Sequence, residues 1–176
     1  LFRSQDVANS VVIQADGKIV VAGYASSSVS GKDFFCIRLK TDGTYDSTFG
    51  LNGIVKTDLQ LGSDDVAYSL SLQTDGKLIL AGYSDNGSSK DAALVRYHTN
   101  GIIDSSFGSN GVVLTDFEAS QQDEIHVAKI HHLTGKIIVG GTTIINSTNS
   151  KPVVARYLSN GSLDTTFNAN GIRLLW

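Results

Sequence analysis

The sequence predicts an all-β fold, a β-propeller-like chain of three four-stranded antiparallel blades. Two observations carry this expectation. First, landmark residues return with a period close to 59: Gly17, Gly76 and Gly135 are spaced by 59 and 59, while Arg38, Arg96 and Arg156 are spaced by 58 and 60, as are Phe49, Phe107 and Phe167. Second, each period holds four β-patterned segments separated by turn chemistry, and no stretch carries the apolar stripe and caps of a helix. A tandem unit of roughly 40–60 residues with four strands describes a propeller blade, which repeats because each blade packs its faces on like neighbours. A twelve-stranded sandwich or barrel is the main rival, and it has no reason to repeat at a fixed interval. The units run approximately over 1–58, 59–117 and 118–176 of a single repeat domain.

The middle unit shows the elements in order. Asp65 to Gln73 alternates, with Leu70 and Leu72 on one face and Ser69 and Ser71 on the other, as a half-buried strand does. Asp75-Gly76 then predicts a two-residue hairpin turn with positive φ angles. Lys77 to Tyr83 is a continuous apolar run, suited to a strand covered on both faces. After a polar loop (Ser84 to Lys90), Asp91 to His98 is apolar again around Arg96. Asn100-Gly101 turns the chain into the excursion 102–108, and Asn110-Gly111 leads into a fourth strand, Val112 to Phe117. The stretch Gln73 to Tyr83 recurs at Gln14 to Tyr24. It recurs in weakened form at His132 to Thr142, where Thr134 replaces the turn Asp and Gly140-Gly141-Thr142 replaces Ala-Gly-Tyr.

Bulk composition excludes more than it identifies. A chain of 176 residues is long enough for one domain with a sizeable core. Eighteen glycines against one proline, Pro152, fit many tight turns. A net charge of −3 gives no basic footprint, so no nucleic-acid partner is expected. No run approaches the ~18 apolar residues of a membrane span. Cys36, inside Phe34-Phe35-Cys36-Ile37, reads as a small buried hydrophobe rather than a catalytic thiol. The chain opens on Leu1 rather than Met, which reads as a processed product or a piece of something longer.

The runs Asp-Gly-Lys-Ile-Val-Val-Ala-Gly (16–23), Val95-Arg96-Tyr97 followed by Gly101, and Gly161-Ser162-Leu163-Asp164-Thr165-Thr166-Phe167 resemble the delta-60 repeat, a bacterial β-propeller-like unit. The resemblance covers essentially the whole chain. It implies the propeller fold, and no characterised activity or catalytic set. Such repeats are common in large secreted or surface-attached bacterial proteins, which implies a secreted or cell-surface location.

Residues present in every copy are explained most economically by the fold. Arg38, Arg96 and Arg156 sit in an otherwise apolar strand and need acidic partners, because a buried unpaired charge is expensive. Two recurring acid sets are available: Asp46, Asp104 and Asp164 before the Phe, and Asp6, Asp65 and Glu124 at the start of the first strand. The competing reading is a ring of anion-binding arginines. Phe49, Phe107 and Phe167, each in an Asp-x-x-Phe motif, read as plugs over the core edge, with the Asp capping the local turn. Asp42 to Asp46 superficially resembles a calcium loop but lacks the further oxygen ligands that calcium needs, so no metal is expected and no cofactor either.

Deviations are where a specific function would sit. Lys129 and His131 fall where the other copies carry Val11/Ile13 and Leu70/Leu72, with His126 and His132 nearby. Either that strand slips or bulges, moving Ile125, Val127 and Ile130 onto the core, or the polar groups face a wet channel. The histidines are a candidate metal or acid–base site without a specific ligand spacing, against the plainer reading of an atypical terminal repeat. The loops Ser26 to Lys32, Ser84 to Lys90 and Thr143 to Ser150 share one face with the connections between units. Their Asp85, Asn86 and Asn146 are binding candidates for a protein or carbohydrate partner. The favoured function is a non-enzymatic binding or structural module. The alternative is a propeller-based hydrolase or lyase using His131, Lys129 and Asp123, although no nucleophile–base motif announces it. Three blades fall short of the four to eight typical of propellers, so further repeats or a homodimer are expected to close the ring.

Overall fold

Each period folds into one four-stranded antiparallel sheet in a computed structural model that describes residues 5–27, 31–60 and 62–175. Blade 1 contains β1 (Val7–Ile13), β2 (Ile19–Ser27), β3 (Gly31–Leu39) and β4 (Ile54–Thr57). Blade 2 contains β5 (Asp65–Leu72), β6 (Leu78–Asp85), β7 (Lys90–Tyr97) and β8 (Val112–Thr115). Blade 3 contains β9 (Gln122–Ile130), β10 (Ile137–Asn146), β11 (Asn149–Tyr157) and β12 (Ile172–Leu174). No helix occurs among the described residues, so none is long and apolar enough to cross a membrane. Strands are hydrogen-bonded in chain order within each sheet, and the three sheets do not close into a ring.

The hairpin between the first two strands differs from expectation in its turn type. Gln73 N–H donates to Lys77 O (2.8 Å) and Gly76 N–H to Gln73 O (3.0 Å), closing a three-residue loop in which only Gly76 is left-handed (φ 82°). Asp75 keeps a negative φ, and its carboxylate accepts the Lys77 N–H at 3.2 Å instead. Gly takes the strained position, and Asp stabilises the turn through its side chain.

The inner strands of all three blades share an irregularity with no alternation signal in the sequence. β1, β5 and β9 each carry a bulge, at Asn9, Tyr68 and His126. The bulge presses the inner backbone onto the second strand. A Cβ at Gly23 or Gly82 would stand 1.8 Å from the carbonyl oxygen of Val7 or Val66, and one at Gly141 2.0 Å from that of Glu124. The glycine of the Ala-Gly-Tyr motif therefore recurs because a side chain has no room there.

Blade 3 departs from the others by one inserted residue. Its hairpin closes through His131 N–H to Lys136 O, a span one residue longer than Gln14 to Lys18 or Gln73 to Lys77. Pairing of Ile130 with Ile137 and of Lys129 with Ile138 places Lys129 opposite the counterpart of Ile79, so it matches Ser71 rather than Leu70, and His131 matches Gln73 rather than Leu72. The expected conflict in the first strand disappears: Ile125 and Ala128 are buried and Ile130 packs on the core. Val127 does not join them and is exposed. The insertion also shifts the recurring acid from Glu124 to Asp123, whose carboxylate accepts the Phe117 N–H (2.6 Å) as Asp65 accepts the Leu59 N–H (2.6 Å).

The apolar core lies in the seams between blades. Val20, Ala22, Phe34, Cys36 and Phe49 of blade 1 pack on Ala67, Leu70, Leu80 and Val95 of blade 2. The other face of blade 2, with Ile79, Ala81, Leu94 and Phe107, packs on Ile125, Ala128, Val139 and Tyr157 of blade 3. Blade 2 is covered on both faces, and all of β6 up to Ser84 is buried. Cross-seam hydrogen bonds reinforce the packing: the Tyr97 hydroxyl meets Thr57 Oγ1 (2.7 Å) and the Tyr157 hydroxyl meets Thr115 Oγ1 (2.9 Å).

Candidate functional site

Each blade carries one charged node, built where its third strand meets the excursion toward its fourth. Arg38 Nε lies 2.9 Å from Asp46 Oδ2, Arg96 Nε 2.8 Å from Asp104 and Arg156 Nε 2.7 Å from Asp164. Of the two acid sets, the Asp-x-x-Phe set takes the arginines. The same aspartates accept the N–H and hydroxyl of Thr48, Ser106 and Thr166, which is the capping role expected of them. Each guanidinium also lies 4.6–4.9 Å from the ring centre of Phe49, Phe107 or Phe167.

Electrostatics follow this wiring. The Thr48 hydroxyl, with Lys18 and Arg38 behind it, holds Asp46 well below the usual carboxylate range despite burial. Burial raises Asp104, and Ser106, Lys77 and Arg96 outweigh it. Lys136 and Thr166 do the same for Asp164. These carboxylates stay ionised and engaged. They offer no proton near neutrality, and each occupies the Nε of its arginine.

The arginines also reach across the seams. Arg38 Nη1 donates to the Thr99 carbonyl of blade 2, and Arg96 Nη1 to the Ser159 carbonyl of blade 3 (2.6 Å). Beside them Gly50 N–H donates to Asn100 O (2.8 Å) and Gly108 N–H to Asn160 O (2.9 Å). Next to the first node lies a cleft of about 540 Å³ between blades 1 and 2, lined by Gln14, Lys18, Arg38, Thr48, Gln73 and Asn100 among others. The carboxamide oxygens of Gln14 and Gln73 are buried there without a hydrogen-bond partner. Sequence reasoning missed this cleft because its walls come from two different repeats.

The residues singled out in blade 3 do not form one constellation. His131 and His132 stack at the hairpin (5.5 Å between ring centres), and His131 Nδ1 lies 3.0 Å from the Thr134 hydroxyl. His126, in the bulge, instead meets the Thr142 hydroxyl (3.0 Å) and the Tyr68 ring (5.5 Å). Lys129 is exposed. Asp123 and His131 are eight residues apart at opposite ends of β9, roughly 26 Å at strand rise. No shared pocket for acid–base chemistry results. Cys36 is buried, which pushes its thiol up to about 12 and leaves it protonated at neutral pH.

On the opposite face the loop candidates organise their own turns. Asp85 accepts the Gly87 N–H (2.7 Å), Asn86 the Ser88 and Ser89 N–H groups (2.9 Å each), and Asn146 both the N–H and hydroxyl of Thr148 (3.0 Å each). The third loop is shorter than expected, since β10 and β11 pair out to Asn146 and Asn149. Part of the first loop, 28–30, lies outside the described residues. A shallow depression of about 490 Å³ opens between Leu59, Gln60, Gly62, Ser63, Asn86 and Gly87. Nearby, Asp33, Asp58 and Asp65 bring carboxylate oxygens within 4.8 Å of one another, a grouping not read from the sequence. Lys56 already supplies a cation 2.6 Å from Asp33. Burial pushes Asp65 up to about 6, and Asp123 moves in the same direction for the same reason.

A family model described as a beta-propeller domain of unknown function (DUF5122) matches the chain at residues 14–49, 73–107 and 134–167, one match in each blade and more than half of the chain in all. No curated protein matches the chain.

Proposed function

The chain belongs to the DUF5122 β-propeller family, and from that premise we propose that it is a non-enzymatic propeller module whose variable loop face binds a protein or carbohydrate partner. The observation that carries this reading is the division of labour between the two faces. The Arg–Asp–Phe nodes commit the buried charges of one face to the blades' own frames, and Arg38 and Arg96 to the seams as well. The other face presents loops pre-ordered by Asp85, Asn86 and Asn146, and Asn86 lines the depression beside Leu59 and Gly62. Polar groups on ordered loops over a rigid scaffold bind at low entropic cost. In this proposal the repeats are delta-60 repeats, the chain is a single domain, and it works within a larger secreted or surface-attached protein as a scaffold.

Screening the chain on glycan and peptide arrays tests the reading. Asn86→Ala and Asn146→Ala are expected to weaken any hit about tenfold, while Gln14→Ala and Gln73→Ala in the opposite cleft leave it unchanged. The reverse pattern would move the binding site to the cleft and refute the proposed face.

A further inference from the structure

The two internal seams follow one contact scheme, and the outer faces of blades 1 and 3 carry the two halves of that scheme unmated among the described residues. At each seam the lower blade offers an arginine Nη1, a backbone N–H after the motif Phe, and a Val methyl. The upper blade answers with a Thr/Ser carbonyl, an Asn carbonyl and a glycine. A Cβ on Gly101 would stand 2.9 Å from Val55 and 3.0 Å from Phe49, and one on Gly161 2.8 Å from Val113 and 2.9 Å from Phe107. Blade 1 presents the same upper half in Thr41-Asp42-Gly43, where a Cβ on Gly43 would meet nothing within 4 Å. Blade 3 presents the lower half in Arg156, Phe167 and Asn168. The Arg156 side chain is 26% exposed against 7% for Arg38 and Arg96, and Phe167 is only partly covered.

The open halves differ from the internal seams in ways that compensate one another. Tyr97–Thr57 and Tyr157–Thr115 cross the internal seams as hydroxyl pairs. By strand register the corresponding residues at the open ends are Leu39 on blade 1 and Leu175 on blade 3, so both partners of the pair turn apolar together. Asn100 and Asn160, which cap their own turns, are matched by Asp42, which caps its turn through the Thr44 N–H (2.9 Å), and Val55 and Val113, which lie under the next glycine, are matched by Arg173, so the two open halves carry opposite charges. On the inner strands, Ser10 and Ser69 accept cross-seam N–H bonds, and Val127 stands in their place. That one bond has no counterpart, and Val127 instead faces the position of Val11, both exposed and apolar.

We propose that a second copy of this chain docks on these faces, blade 3 of each copy against blade 1 of the other, closing two identical seams into a six-bladed ring. The ring has a two-fold axis, so each contact occurs twice and closure forms both seams at once. Six blades lie within the range propellers adopt. Asp42 of one copy pairs with Arg173 of the other, Leu39 packs on Leu175, and Arg156 finds the carbonyl of Thr41 as its two counterparts find theirs. The paired substitutions fit a copy of this chain better than an unrelated repeat, because Asp42 at one end is matched by Arg173 at the other and Leu39 by Leu175.

Sedimentation velocity of the 176-residue chain over a concentration series is the test, with circular dichroism to confirm folding. A species of twice 18.7 kDa is expected. Asp42→Lys and Arg173→Asp should each raise its dissociation constant tenfold or more, with recovery in the double charge swap. A monomer at every concentration overturns the proposal. So does a dimer indifferent to the two substitutions, and so does an assembly larger than two copies.

Discussion

Phe107 and Phe167 occupy the same motif in successive blades, beside the same arginine and the same capping aspartate, yet one is fully buried and the other partly exposed. The middle blade and the third blade differ less in sequence than in what stands next to them. Arg96 has the Ser159 carbonyl of its neighbour, and among the described residues Arg156 is bonded within its own blade. A blade thus supplies its sheet, hairpin and charged pair by itself, while burial and the last hydrogen bonds come from the next blade along.

Four experiments separate what belongs to the blade from what belongs to the seam. The largest effect is expected where the two blades should not differ. Gly82→Ala in blade 2 and Gly141→Ala in blade 3 each drive a Cβ into a carbonyl of the same blade's bulge, so both should lose cooperative unfolding in urea. If only the middle blade suffered, the bulge would depend on neighbours after all. Next, Phe107→Ala should cost about 3–5 kcal/mol, as for a buried aromatic. Phe167→Ala should cost about 1 kcal/mol in the isolated chain, for the apolar area it hides. Equal urea midpoints for the two variants, measured where the chain is monomeric, would remove the distinction between the blades.

A smaller effect comes from the buried acid of the first seam. Asp65 has a folded pKa raised to about 6, against about 4 unfolded. The folded state therefore holds the proton longer, so stability from this group is fullest below about pH 4 and falls by roughly 1 kcal/mol per pH unit up to about 6. Asp65→Asn should flatten urea midpoints across that window. Asp46, Asp104 and Asp164 act in the opposite sense: their lowered pKa stabilises above the unfolded value, and that contribution fades as acid titrates them. The smallest effect belongs to the third hairpin. Deleting exposed Leu133 restores the three-residue loop and should shift stability by less than about 0.5 kcal/mol. A large loss would mean that the inserted residue holds the histidine pair for a purpose.

Much of the fold was legible because a period of 59 is hard to produce by any means but tandem blades. The strands of the middle unit were placed within about two residues of their observed ends. The partner of Arg38 was narrowed to two carboxylates and no further, since choosing between them depends on which way the excursion folds back. The inserted residue in the third hairpin stayed hidden because Gly135 keeps the 59-residue spacing, although Asp123 follows Asp65 by only 58. Anchoring the comparison on that aspartate would have exposed the shift and removed the apparent conflict at Lys129 and His131. The bulges were missed although Gly23, Gly82 and Gly141 marked them at equal intervals. The Gln14–Gln73 cleft had no local signal, because its walls join only when two blades pack.

The Arg38–Thr99 and Arg96–Ser159 bonds span 61 and 63 residues, and the two apolar clusters likewise each join one blade to the next. Ordering one blade therefore needs the loop entropy of about one repeat, whatever the length of the array. As the chain leaves the ribosome, each blade can therefore bury its apolar face on the blade made before it without waiting for the rest of the array.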